Sequence, residues 1–413
     1  MSAIIDFIQG GHIMEFNTKL RFIVTSDIHY KMDSDIEKYR FEKGMKFAYD
    51  YADSCEYKNI DAFFAVGDFA NCGSEAEMLK FKDSLDRVID KNTRITLMLA
   101  SHEFHSDGGQ QGAYNRLKTI FNQEADNYFE IGDCPFICIS TEDGCSIKES
   151  KQNWLKKCLV DAASKDKKRP FFVFQHPHLS DTVYGSINWG DDDIISILTD
   201  YPQVVDFSGH SHAPINDPRS IHQKYFTSLG TGSLSYFELD EFDFMYGTVP
   251  PDCKECAQYY IVEVSDKNSV RILPVDVLSN SFFNEGYVIK TPWEPDSFEF
   301  TATRALTEKK PYFSIESDIT LDSIQNNVIN ISFPQAKTDG YRVNSYSVVI
   351  RNDFTNEIIA QKKITSSYYI FKMPESLSLE IPLDEIPEKI SVEITAHGFW
   401  IVKSEKLIKK FTL

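Results

Sequence analysis

The chain has little that would take it to a membrane or to nucleic acid. No apolar run reaches the roughly 18 residues that a spanning helix needs, so the sequence predicts no membrane span. The first residues lack a basic start followed by an apolar stretch, and we expect no secretory signal there. Positive charge is scarce, because 43 Lys and Arg oppose 62 Asp and Glu and leave a net charge of -19. Since nucleic acid and anionic membranes are bound through basic surfaces, this balance argues against general binding to either.

Cysteines occur eight times, at irregular spacing. In a chain of this length that pattern is typical of free thiols in a reducing compartment, and it predicts a cytoplasmic protein. Cys253 and Cys256 form one CKEC pair without a second CxxC. They are therefore interpreted as ordinary thiols or a loop disulfide, with half of a thiolate zinc site as the alternative. The apolar content of 42%, with 31 Phe and 20 Tyr, predicts folded domains with substantial cores.

The order of apolar patterns divides the chain into regions. Strand and helix patterns alternate over the first 200 residues, which predicts a layered α/β domain that later strands complete. Beyond it, short alternating strands such as NVINISFPQA and KISVEITAHGFW are separated by turn residues without a helix pattern, which predicts an antiparallel β-sandwich. The predicted regions are an N-terminal extension (1–18), a catalytic domain (19–275), a connector (276–293) and the sandwich (294–413).

Five short segments, each directly after an apolar run of strand type, carry the residues with metal-binding chemistry. Loops at the carboxyl ends of strands in an α/β sheet converge on one crevice, so these side chains are expected to meet. Carboxylates and imidazoles together suit a pair of divalent metals. The segments are TSDIHY (Asp27, His29), VGDFA (Asp68), ASHEF (His102), FQHPH (His176) and SGHSH (His210, His212).

This ordered set of motifs resembles the calcineurin-like metallophosphoesterase superfamily over roughly residues 19 to 275. The resemblance implies two facing mixed β-sheets flanked by helices, the four-layer fold of that superfamily. It also implies two divalent metal ions, with Mn²⁺, Fe²⁺/Fe³⁺ and Zn²⁺ all acceptable to nitrogen and oxygen ligands. The C-terminal sandwich resembles a fibronectin type III module by pattern and length. His397 is its only histidine, and the module is expected to shape access or mediate association.

By the same resemblance, Asp68 bridges the two metals. Asp27, His29 and His212 would hold the first metal, while His176 and His210 would hold the second. The implied activity is hydrolysis of a phosphodiester, favoured over a phosphomonoester, by a metal-bridging hydroxide. His102 would act as the general acid, so that Asp68 and His102 form the catalytic pair. A His at position 29 argues against the purple acid phosphatase subclass, which has another residue there.

Position 101 departs from the family pattern, because Ser101 stands where the family has an Asn that binds the second metal. Three interpretations follow: Ser101 binds the metal directly, it binds through water, or the second site is weaker than usual. The last leads to the alternative function, a catalytically weakened protein that binds metal and phosphate and serves an interaction role.

Substrate contacts are expected from His102, His178 and Tyr184. His178 could instead orient the metal ligands, as could His105, or it could be a buried histidine at the end of its strand. The loop LSDTVYGSINW presents Tyr184 and Trp189, whose rings could stack on a nucleobase or simply pack. We expect a small phosphoester substrate such as a nucleotide. The segment 227–236 is expected to be a strand with a bulge, and its alternative is to line the pocket.

Overall fold

The computed structural model describes residues 8–9, 12–13, 16–239, 249–250 and 252–413. The chain divides into two compact units, Met1–Leu239 with Cys253–Ala302, and Asp240–Asp252 with Thr303–Leu413. The predicted N-terminal extension lies partly outside the described residues. Within it, β1 (Ile8–Gln9) pairs antiparallel with β2 (His12–Ile13). None of the described helices is long and apolar enough to cross a membrane.

The first unit contains strands β3 to β17 and helices α1 to α6. The strands are β3 (Thr18–Thr25), β4 (Ala62–Val66), β5 (Arg94–Met98), β6 (Asn127–Ile131), β7 (Cys134–Cys138), β8 (Phe171–Phe174), β9 (His178–Leu179), β10 (Gly190–Asp191), β11 (Val204–Ser208), β12 (Ile221–Gln223), β13 (Thr227–Gly230), β14 (Gln258–Ser265), β15 (Val270–Asp276), β16 (Ser281–Phe282) and β17 (Tyr287–Ile289). The helices are α1 (Ile36–Ser54), α2 (Glu75–Val88), α3 (Gly109–Phe121), α4 (Glu149–Lys165), α5 (Ser186–Trp189) and α6 (Ile195–Leu198).

Thirteen of these strands form two mixed sheets, and β9 and β10 pair parallel with each other. The first has the order β16-β15-β14-β3-β4-β5, with β17 also paired to β15, and its β3, β4 and β5 run parallel. The second has the order β12-β13-β11-β8-β7-β6, with β13, β11, β8 and β7 parallel inside antiparallel edges. Buried parallel strands explain the continuous apolar runs in the sequence, because both faces of such strands are covered.

Aromatic side chains fill the space between the two sheets. Phe22 on β3 meets Phe136 and Phe172 of the opposite sheet edge-on, with ring centroids 5.3 and 4.9 Å apart. Phe64 on β4 stacks on Phe174 of β8 at 4.1 Å. Edge-on and offset rings of this kind add stability beyond the area that they bury.

Helices cover the outer faces of both sheets. Phe41 of α1, Phe81 of α2 and Leu117 of α3 belong to the core outside the first sheet, and Leu155 of α4 to the core outside the second. Helix α2 begins with a capping box in which Ser74 accepts from the Glu77 N–H while the Glu77 side chain returns to the Ser74 N–H. The predicted arrangement of two facing mixed sheets flanked by helices is confirmed.

Residues 276–293, expected as a connector, contain two strands of the first sheet. β16 and β17 both pair antiparallel with β15, and the first unit continues to Ala302. Each strand is only two or three residues long, which is too short to produce an alternating pattern in the sequence.

Within its described residues, the second unit contains α7 (Arg304–Thr307) and seven antiparallel strands in two sheets. Their orders are β18-β19-β22 and β21-β20-β23-β24. Ile329 and Ile331, in the three-stranded sheet, share one buried core with Val348, Val392 and Ile394 in the four-stranded sheet. This shared core confirms the predicted β-sandwich. The strands are β18 (Thr320–Gln325), β19 (Val328–Pro334), β20 (Ser345–Asn352), β21 (Ile358–Thr365), β22 (Ser376–Pro382), β23 (Lys389–His397) and β24 (Leu407–Thr412).

Candidate metal centre

The candidate ligands lie in loops that leave the carboxyl ends of β3, β4, β8 and β11. Five of them have backbone φ in the left-handed region: Asp27 (48°), His29 (52°), Asp68 (51°), His210 (74°) and His212 (53°). Such a backbone costs a non-glycine residue on the order of 1–3 kcal/mol and persists only where the surroundings enforce it. Because five candidate ligands share this unfavourable backbone conformation, the loops that enforce it also fix the directions of their side chains.

Asp27 lies at the inner end of the centre and is fully buried. Its Oδ2 accepts hydrogen bonds from the Ser26 hydroxyl and from the His210 N–H, the latter at 3.1 Å. Its Oδ1 has no hydrogen-bond partner and lies 3.2 Å from Nε2 of His212 and 3.9 Å from Nε2 of His176. A buried carboxylate oxygen without a donor, facing several imidazole nitrogens, is an environment that fits a cation.

Asp68 lies between the two groups of histidines. Its Oδ1 accepts from the His102 N–H at 2.9 Å, and its Oδ2 accepts from the Ser101 hydroxyl at 3.0 Å. The same Oδ2 is 3.1 Å from Nε2 of His176. Both oxygens therefore face other candidate residues, as a carboxylate shared between two ions must.

Three of the histidine rings are oriented by backbone carbonyl groups. Nδ1 of His176 donates to the Val66 carbonyl at 2.7 Å, and Nδ1 of His212 donates to the Tyr236 carbonyl at 3.0 Å. Nδ1 of His102 likewise meets the Asn71 carbonyl at 2.5 Å. A proton held on Nδ1 leaves the Nε2 lone pair directed into the centre, the tautomer that a metal ligand requires.

The ligand atoms form three overlapping groups whose members all lie within 4.8 Å of one another. The groups are Asp27, His29 and His212; Asp68, His176 and His210; and His29, Asp68 and His102. The first two bring together residues that the family resemblance assigned to the first and to the second metal. The third joins them and includes His102, to which the sequence analysis gave the role of general acid and not of metal ligand. Nitrogen and oxygen donors in this number fit a pair of divalent cations.

Burial sets the protonation of two of the histidines. It lowers the pKa of His29 to about 3, with neighbouring His212 adding to the effect. It also lowers the pKa of His210 to about 4, with His176 as the next cause. Both rings are neutral at neutral pH and have a lone pair available for a cation.

His176 behaves in the opposite way. Burial acts to lower its pKa, but the nearby carboxylates of Asp68 and Asp27 outweigh burial and raise it to about 10. Burial likewise acts to raise the pKa of Asp27, and the neighbouring His212 and His176 reverse this and lower it. Without a cation, the buried carboxylates are therefore balanced by protonated imidazoles, and a bound cation would replace those protons.

Ser101 and its neighbour Glu103 act on Asp68. The Ser101 hydroxyl points its proton at the Asp68 carboxylate, so its first role in this structure is that of a hydrogen-bond donor. The Glu103 carboxylate accepts from the N–H groups of Asp68 (3.1 Å), Ala70 (3.0 Å) and Ala100 (2.9 Å). It ties the loop after β4 to the loop after β5. Sequence analysis did not single out Glu103, although it lies within the ASHEF segment.

Two residues predicted to contact substrate, His178 and Tyr184, have their side chains engaged by other residues of the protein. Both ring nitrogens of His178 are engaged with hydroxyls, Nδ1 with Ser208 at 2.7 Å and Nε2 with Ser211 at 2.6 Å, and the ring is 1% exposed. His178 thus supports the loop that carries His210 and His212. Tyr184 is 8% exposed, and the Arg219 guanidinium covers its ring at 3.9 Å. Its ring face is already taken by a cation–π contact.

Two further residues reach the centre: Trp189, which the sequence analysis named in the loop LSDTVYGSINW, and Cys145, which it did not identify. Trp189 packs edge-to-face on His210, with centroids 4.8 Å apart. Cys145, in the loop after β7, has Sγ 3.9 Å from Nε2 of His210. The rule applied to the other motifs, that loops after apolar strands gather functional groups, would also have pointed to Cys145, which follows the run PFICIS.

The segment 227–236, expected as a strand with a bulge, is a strand only to Gly230. Beyond it the chain passes along the centre, where the Ser233 hydroxyl donates to the Asp27 carbonyl at 2.9 Å. The Tyr236 carbonyl receives the His212 hydrogen bond described above. The alternative of a pocket wall describes this segment better than a continuous strand.

Comparison with known proteins supports the family resemblance. Residues 20–214, just under half of the chain, match the family described as calcineurin-like phosphoesterase. Together with the clustered Asp and His residues, the match supports a metal-dependent phosphoesterase. No curated protein matches the chain.

Solved structures that resemble the chain share little sequence with it. Purple acid phosphatase PPD1 from seeds of yellow lupin (Lupinus luteus) is 14% identical with a TM-score of 0.48, and the alignment covers 66% of this chain and 53% of the lupin chain. This chain therefore spans about half the length of that relative. The chicken interferon gamma receptor alpha chain is 12% identical with a TM-score of 0.20, covering 35% of this chain and 65% of the receptor chain.

Proposed function

We propose that the chain is a dinuclear metal-dependent phosphoesterase with a preference for phosphodiesters. The observation that supports this most directly is the position of Asp68, whose carboxylate faces both groups of histidines. Asp27, His29, Asp68 and His212 would hold one cation. Asp68, His176 and His210 would hold the other. When bound, the two cations supply Lewis acidity toward the phosphoryl oxygens and lower the pKa of water to near neutrality.

The protein's own residues supply orientation and a proton. Asp68 is held by the N–H of His102 and the hydroxyl of Ser101, which set its direction between the two groups. His102 is partly exposed, and the hydrogen bond from its Nδ1 to Asn71 turns Nε2 toward the centre. Protonated on both nitrogens, His102 would give the Nε2 proton to the departing alkoxide.

The charge of the site favours a diester. Among the described residues, the side chains that contact the centre are Asp, His, Ser, Tyr, Trp and Cys, and neither Lys nor Arg is among them. A monoester dianion carries one more negative charge than a diester, so a site without Lys or Arg to bind the extra charge suits the diester better. A nucleotide-like diester fits this balance, and Trp189, half-buried at the end of α5 beside His210, offers a ring on which a base could stack.

One observation favours the second candidate, a weakened enzyme that binds metal and phosphate. The Ser101 hydroxyl is directed at Asp68, and a site with only Asp68, His176 and His210 offers three protein donors. Turnover separates the two candidates, because a binding protein would take up metal and phosphate without releasing product from any ester.

The remaining proposals concern the cellular location and the domain organisation of the protein. Within the described residues the cysteines form no disulfide, which supports a reducing, cytoplasmic location. The sandwich's sheets of three and four strands, with the orders given above, support a fibronectin type III-like module. We propose residues 19–275 as the catalytic domain, and β16 and β17, in the segment 276–293 that follows it, extend its first sheet.

The test compares two buried carboxylates. Asp68→Asn removes a charge that both cations would share. Asp206→Asn is the control, because Asp206 is equally buried. Burial raises the pKa of Asp206 to about 8, so the amide replaces a carboxylic acid that is largely neutral. We expect wild type and Asp206→Asn to contain two metals and hydrolyse bis(p-nitrophenyl) phosphate faster than p-nitrophenyl phosphate with added Mn²⁺. Asp68→Asn should lose metal and activity, and two metals per chain in this variant would refute the shared ligand.

A further inference from the structure

The loop that follows β7 brings a thiol to the edge of the candidate centre. Cys145 is exposed, and its Sγ lies 3.9 Å from Nε2 of His210. Two ligands of one tetrahedral zinc ion, sulfur at about 2.3 Å and nitrogen at about 2.0–2.1 Å, lie about 3.6 Å apart. The observed separation is close to that spacing. Cys145 and His210 are therefore placed as two ligands of one cation would be.

A second observation, independent of the cysteine, indicates that this part of the centre needs a cation. Nε2 of His176 is fully buried and forms no hydrogen bond, although Oδ2 of Asp68 lies 3.1 Å away and the nitrogen points into the group formed with Asp68 and His210. That group supplies three donors. Ser101, which stands where a fourth would be expected, directs its proton to Asp68. One more ligand would complete four-coordination.

The position of the loop depends on the small residue at 101. A Cβ added to Gly144 would lie 3.1 Å from Cα and 3.3 Å from Cβ of Ser101, and Gly144 has φ of 102°. The backbone of the loop thus packs directly against Ser101. Ile147, just past the cysteine, is anchored by its N–H to Asp193 Oδ2 at 2.7 Å. A longer side chain at position 101 would occupy the space that this loop uses to reach the centre.

We propose that Cys145 is a thiolate ligand of the cation at Asp68, His176 and His210, in place of the donor that Ser101 lacks. The inference rests on the proposed function only in requiring a cation at that position. On binding, the S–H bond breaks, its proton leaves to solvent, and the sulfur lone pair forms the bond to the metal without any change of oxidation state. Because thiolate is a soft ligand, this position would prefer Zn²⁺ or Co²⁺ to Mn²⁺.

Cobalt provides a test that is independent of catalysis. The full-length metal-free protein is titrated with Co²⁺ while bound cobalt is counted by elemental analysis and the near-ultraviolet spectrum is recorded. We expect a thiolate-to-cobalt charge-transfer band to grow with one of two bound ions. Cys145→Ser should lose the band, and Cys55→Ser, which changes a cysteine at the end of α1, should retain it.

Zinc affinity gives the second measurement. Loss of a direct ligand should weaken zinc binding at one position by more than the roughly 10- to 100-fold that loss of a supporting residue costs, with little change in Mn²⁺ affinity. Two bound cobalt ions without the band in wild type, or an undiminished band in Cys145→Ser, would refute the role of Cys145 and leave the phosphoesterase proposal standing. Failure of the wild-type protein to bind cobalt at all would overturn both.

Discussion

Replacement of His102 by Ala tests how the leaving group departs. In the structure, Nδ1 of His102 is committed to the Asn71 carbonyl at 2.5 Å, and Nε2 is 4.0 Å from Oδ2 of Asp68. Because the Nδ1 proton is already used, His102 can protonate an alkoxide only with a second proton on Nε2. The ring also contacts His29 edge-on, with centroids 4.4 Å apart.

The size of the effect should depend on the leaving group. General acid catalysis is worth about 10²- to 10⁴-fold, or about 2.7 to 5.4 kcal/mol in the activation barrier. An alkyl or nucleoside alkoxide needs that proton, so His102→Ala should lose this factor on such diesters. A nitrophenolate departs without a proton, and its ester should lose less than about tenfold.

The assay compares kcat/KM for an alkyl diester and for bis(p-nitrophenyl) phosphate, with metal content measured in every sample. His105→Ala is the matched control, because His105 is a neighbouring histidine whose ring lies 4.9 Å from that of His102. Equal losses on both substrates would show that His102 positions the phosphate and does not act as an acid. Loss of metal from His102→Ala would show instead that the group of His29, Asp68 and His102 binds a cation directly.

Three further predictions follow from the same contacts. Glu103→Ala leaves three buried N–H groups without an acceptor and should lower the free energy of unfolding by at least about 3 kcal/mol in urea denaturation; an unchanged midpoint would contradict this. Although burial opposes it, Asp68 raises the pKa of His176 to about 10, so a cation must displace a proton there and its affinity should rise with pH until about pH 10. Calorimetry in buffers of different ionisation enthalpy should detect that proton, and a pH-independent affinity would exclude His176 as a ligand. Removal of residues 303–413 should leave two metals bound, since the proposed ligands lie between Asp27 and His212; a folded truncated protein without metal would refute this.

Some differences between prediction and structure come from contacts between residues distant in sequence. The motif FQHPH placed His178 beside His176, but the hydroxyls of Ser208, at the end of β11, and Ser211, in the loop after it, enclose His178 in the interior. Tyr184 was expected at the pocket from its nearness in sequence to His176, and Arg219, 35 positions later, covers its ring. Position in the chain could not reveal these partners, because each partner belongs to another loop.

The sequence by itself determined the fold class and the candidate metal-binding residues of this protein. Continuous apolar strands followed by Asp or His are local patterns, and the geometry of parallel sheets brings the ends of such strands together whatever the details of packing. Only the tertiary structure decided which nitrogen of each histidine faces the centre, that Ser101 donates to Asp68, and that Gly144 lets Cys145 approach His210. Those features depend on distances of a few ångströms between separate loops, and such distances are set by the packing of the whole domain and not by any one segment.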